Sequence, residues 1–76
     1  MDGNRVRAKI SDEARGRLEF YRSAYRHALQ SKDPYKVNYY SGMIYGYTDA
    51  LAGLKVITDE ERLAVSSYYM DMVKGV

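Results

Sequence analysis

The chain has 76 residues, no cysteine, one histidine and a net charge of only +2. That length fits a single domain, and the cysteine-free composition removes disulfides as a source of stability. With a single histidine there is no ligand set for structural zinc, so neither a metal nor any other cofactor is expected.

A domain of this size buries only about 60% of the surface its unfolded chain exposes. Close helix packing or association with a partner must then supply the stability that disulfides and metals do not. Nine tyrosines and four methionines suit association. The charge is uneven, with +4 on residues 1–32 and −2 on residues 33–76. Such asymmetry bears on partners rather than on fold. No apolar run approaches the ~20 residues of a membrane span, and the first residues lack the apolar stretch of a secretory signal. A soluble, cytoplasmic protein with no membrane contact is the expectation.

Residues 1–10 read as a flexible basic arm, because Gly3-Asn4 disfavours order and no periodicity follows. Ser11 or Asp12 can cap a first helix over about residues 12–31, and Asp12 and Glu13 suit the positive end of its dipole. Ala14, Leu18, Tyr21, Tyr25 and Ala28 recur at alternating spacings of four and three, which makes one helical stripe.

Ser31-Lys32-Asp33-Pro34 ends that helix and starts the next. Proline cannot continue the backbone ladder and disfavours helical geometry at Asp33. As the first helical residue, however, it is well placed behind an Asp cap. So short a link predicts an antiparallel hairpin. The second helix should span about residues 34–54, with Val37, Tyr40, Ile44, Tyr47, Leu51 and Leu54 as its apolar stripe. Beside it runs a row of small residues, Gly42, Gly46, Ala50 and Gly53, with Asn38, Ser41, Tyr45, Thr48 and Asp49 on the remainder. Thr58-Asp59-Glu60-Glu61 is a capping box opening a third helix over about residues 59–74. That helix presents Val65, Tyr68, Tyr69, Met72 and Val76 on one face, with Gly75 as its terminator. The predicted fold is an all-α, three-helix domain led by the hairpin.

Three features bear on function. Gly42 and Gly46 let another helix come close, either a neighbour in the same chain or the same helix of a second copy. Phe20 points away from the apolar stripe of its helix, among Gly16, Ser23, Ala24 and His27, as a lone exposed ring or as an anchor for a partner. Arg15, Arg22 and Arg26 line one edge of the first helix behind Arg5, Arg7 and Lys9, where they can meet nucleic-acid phosphates or pair with Glu19 as a solvated face. His27 has no helical-spacing partner for a catalytic triad, and no glycine-rich loop follows a strand. The expectation is a non-catalytic protein–protein interaction module that forms homo-oligomers or binds another protein. Its candidate contacts are Phe20, Ala24, Tyr39, Gly42, Tyr45 and Gly46. The alternative is a nucleic-acid-binding accessory protein using Arg5, Arg7, Lys9, Arg15, Arg22 and Arg26.

Overall fold

The computed structural model describes residues 3–71 and is all-α. Its elements are α1 (Gly3–Arg7), α2 (Asp12–Gln30), α3 (Pro34–Gly53) and α4 (Asp59–Asp71). The hairpin of α2 and α3 is the main packing unit, α4 packs on α3, and α1 packs on α4.

Local chemistry sets each boundary. Ser11 caps α2, its hydroxyl accepting from the Ala14 N–H at 3.2 Å. Asp33 caps α3 by accepting from the Lys36 N–H, also at 3.2 Å, with Pro34 as the first helical residue. The capping box is reciprocal: the Thr58 N–H donates to Glu61 Oε1 at 2.8 Å, and the Glu61 N–H donates to the Thr58 hydroxyl at 3.1 Å. Both hairpin helices end in a Schellman pair of hydrogen bonds. At the end of α2 the Asp33 N–H reaches the Ala28 carbonyl and the Lys32 N–H reaches that of Leu29; at the end of α3 Val56 and Lys55 do the same to Leu51 and Ala52. The left-handed residue in each is a lysine, Lys32 at φ 54° and Lys55 at φ 62°, where glycine is the usual occupant.

The core is formed by Ala14, Leu18, Tyr21 and Ala28 of α2, Ile44, Thr48 and Leu51 of α3, Ile57 of the link, and Val65 and Tyr69 of α4. Three expectations change here. Residues 3–10 do not form a loose arm: Val6 and Ile10, 3% and 2% exposed, are part of this core. A helix of five residues cannot persist by itself, so α1 owes its order to this docking. Thr48, placed by the sequence on the outer side of α3, is fully buried, and its hydroxyl donates back to the Ile44 and Tyr45 carbonyls at 3.0 Å each. A threonine satisfied by its own helix can sit in a core. Leu54, assigned to the apolar stripe, caps the C-terminus of α3 and is 76% exposed, because the helix ends before its turn comes to face inward. Met72, Gly75 and Val76 lie outside the described residues.

Candidate interaction surface

α3 is apolar nearly all the way round: its twenty residues include two charged side chains, Lys36 and Asp49. A helix of that kind is normally buried on all sides. Here α2 and α4 cover it on its inner flanks, and its outer face stays open. Gly42, Gly46, Ala50 and Gly53 lie on that open face. A Cβ added to Gly42, Gly46 or Gly53 would meet no other atom within 4 Å. No helix of the same chain therefore uses the close approach these residues permit, and the intrachain reading of the small-residue row is set aside. Each interior glycine nonetheless costs about 0.5–1 kcal/mol of helix stability relative to alanine.

Large side chains frame the bare strip. Tyr39 is 57% exposed and Tyr45 is 51% exposed. Tyr35, which follows Pro34, is 86% exposed, the highest value among the large hydrophobic residues described. Successive α-helical residues turn by 100°, which sets Tyr35 on the same line as Gly42, Gly46 and Gly53. Tyr35 is not among the contacts expected from the sequence, although its seven-residue spacing from Gly42 is readable there. A shallow depression of about 280 Å³ lies between Tyr35, Asn38 and Tyr39. The Tyr39 and Tyr40 rings meet edge to face at 5.0 Å, which limits the freedom of the exposed ring.

Phe20 is linked to α3 through a chain of rings. It is 59% exposed and packs at 5.9 Å on Tyr21, which meets Tyr47 of α3 edge-on at 6.0 Å. Ala24 lies one turn along α2 and is half-buried. The structure thus places Phe20 and Ala24 on α2, and Tyr39, Gly42, Tyr45 and Gly46 on α3. The aromatic chain crosses the hairpin from Phe20 to Tyr47 on the core side of α3.

Four of the six candidate phosphate contacts are ion-paired. Glu19 takes Arg7 Nη1 at 3.1 Å and Arg22 Nη2 at 2.7 Å, Asp12 pairs with Arg15, and Glu61 takes Lys9 Nζ at 2.6 Å. Arg7 also sits 5.1 Å above the Tyr68 ring. Of the six proposed phosphate contacts, Arg5 and Arg26 are exposed without an ion pair among the described residues. The Glu61 carboxyl is held below its ordinary range, first by the Lys9 hydrogen bond and then by the Thr58 N–H.

His27 is exposed on α2, and no group of three or more His, Cys, Asp or Glu side chains comes together among the described residues. No described helix is long and apolar enough to cross a membrane. No family model matches the chain, and no curated protein or solved structure matches it significantly.

Proposed function

We propose that this chain is a non-catalytic protein–protein interaction module, cytoplasmic in setting, that self-associates. The outer face of α3 is its main contact surface and Phe20 is a flanking anchor. One observation carries the reading. An apolar helix leaves Gly42, Gly46 and Gly53 bare to solvent, with open space at each, and frames them with exposed tyrosines. Rigid aromatic side chains beside accessible backbone are the materials of a contact surface, since tyrosine gives large area at small entropic cost. The nucleic-acid alternative draws on arginines that here serve the fold: Arg7 ties α1 to α2, and Arg15 and Arg22 pair within α2.

The test is a photo-crosslinking amino acid in place of Tyr39, with the same substitution at exposed Lys32 as control. Irradiation in the native host should give a discrete adduct from position 39 and none from position 32. Equal diffuse labelling at both positions, or none at either, would remove the support for this surface.

A further inference from the structure

We infer that the occupant of the α3 face is α3 of a second copy, lying antiparallel to the first about a two-fold axis at the level of Ile44. This rests on the reading of α3 as the contact surface and names the partner for it. The face is asymmetric along its length. Its N-terminal half is bulky, with exposed Tyr35 and Tyr39, and its C-terminal half is bare, with Gly46, Ala50 and Gly53. Reversing one copy sets bulk against bareness at both ends. Helical geometry then brings Tyr35 opposite Gly53 of the partner copy, Tyr39 opposite the partner's Ala50, and Gly42 opposite the partner's Gly46 at the crossing. A surface that fits itself when rotated by 180° is what a two-fold contact requires.

Polar groups sort the same way. Asp49 is the only charge on the outward line of α3, and the Arg62 guanidinium approaches it from α4, with Nε at 3.5 Å, leaving its outer side open. In the antiparallel arrangement Asp49 faces Asn38 of the partner copy. The Asn38 side-chain amide is exposed and makes no hydrogen bond among the described residues, so its N–H₂ is free to donate to that carboxylate. The two Asp49 carboxylates stand about 15 Å apart along the axis, at 1.5 Å per residue, which exceeds the screening length at physiological salt. A parallel pair would set Asp49 against Asp49 and Tyr35 against Tyr35, opposing like charges and doubling bulk at one end.

Area limits the strength. Twenty residues make a face about 30 Å long and about 10 Å wide, so two copies together cover about 600 Å². Stable interfaces bury about 1,200 Å² or more. The dimer is therefore weak and depends on concentration.

Disulfide trapping suits such a contact, and the chain has no cysteine of its own. Tyr35→Cys and Gly53→Cys are made separately, both at exposed positions. An antiparallel pair puts each cysteine about 27 Å from its own copy but beside the other type. An equimolar mixture at high protein concentration should therefore give the mixed dimer in several-fold excess over either homodimer. Adding Gly46→Leu to both chains should abolish that excess while helicity stays intact, because leucine blocks the crossing and its Cβ meets no other atom of the monomer within 4 Å. A Tyr35→Cys homodimer equal to the mixed species, no cross-link in any combination, or a mixed dimer that survives Gly46→Leu each overturns the proposal. An adduct from position 39 to a different protein, without the mixed disulfide, would leave α3 as the contact surface but remove the second copy as its occupant, and with it the self-association of the chain.

Discussion

Lys9 and Glu61 are 52 residues apart in the chain, and the lysine Nζ donates to both carboxylate oxygens, at 2.8 and 2.6 Å. The same carboxylate closes the capping box with Thr58. One side chain thus starts α4 and ties the segment after α1 to it. Because these bonds favour the ionised form, Glu61 titrates below its ordinary value in the folded chain. Its contribution is complete above the unfolded glutamate pKa of about 4.3 and is lost as pH falls through the lower folded value. Denaturant midpoints measured from pH 7 downward should fall more steeply in the parent than in Glu61→Gln, with the difference confined to the acid range below pH ~4.3. Parallel curves would show that the pair contributes no pH-dependent stability.

The docking of residues 3–10 leads to a second expectation. Ile10 is buried against the core, so Ile10→Ala should cost about 2–5 kcal/mol. Were these residues a solvated arm, the change would stay within about 0.5 kcal/mol. Total stability for a chain of this length is about 4–11 kcal/mol, so urea unfolding distinguishes the two outcomes readily.

These two cases show what the sequence can and cannot carry. Ser11, Asp33-Pro34 and the Thr58–Glu61 box act within four residues of themselves, and each boundary was legible from local chemistry. Val6 and Ile10 were not, because two apolar residues among Arg5, Arg7 and Lys9 make no stripe until α4 supplies the other side. The same holds for Arg7 with Glu19 and Lys9 with Glu61, pairs that depend on which helices meet. Thr48 was misplaced because its residue type hides the hydroxyl's return to its own helix. The row of small residues was visible, but the sequence could not say whether a neighbour filled it. Only the open space at Gly42 and Gly46 settles that.

Tyr69 carries a buried defect that can be tested. It is 0% exposed, and its hydroxyl has no hydrogen-bond partner among the described residues. Burial, followed by the nearby Glu19 charge, raises the phenol above its ordinary value, and the neighbouring Arg7 guanidinium opposes that shift. A desolvated hydroxyl without a partner costs about 1–3 kcal/mol. Tyr69→Phe keeps the ring and removes the group, so it should be neutral or stabilising by up to about 1 kcal/mol in thermal or urea unfolding. A loss of 1 kcal/mol or more would mean that the hydroxyl has a partner in solution.

Gly42 and Gly46 separate folding from association. Space is open at both positions, so Gly46→Ala should stabilise the monomer by about 0.5–1 kcal/mol, and the double change with Gly42→Ala by about twice that. The measurement belongs at low micromolar protein, where a weak dimer has dissociated and mass action adds nothing to the apparent stability. Gly46→Leu should raise the melting temperature under the same dilute conditions. As the concentration increases, the parent should gain melting temperature and Gly46→Leu should not. The crossing of those two trends is the signature of residues that weaken the folded monomer and serve a contact between molecules. If Gly46→Leu instead destabilised the dilute chain, the glycines would be serving intrachain packing and the outer face of α3 would lose its assigned role.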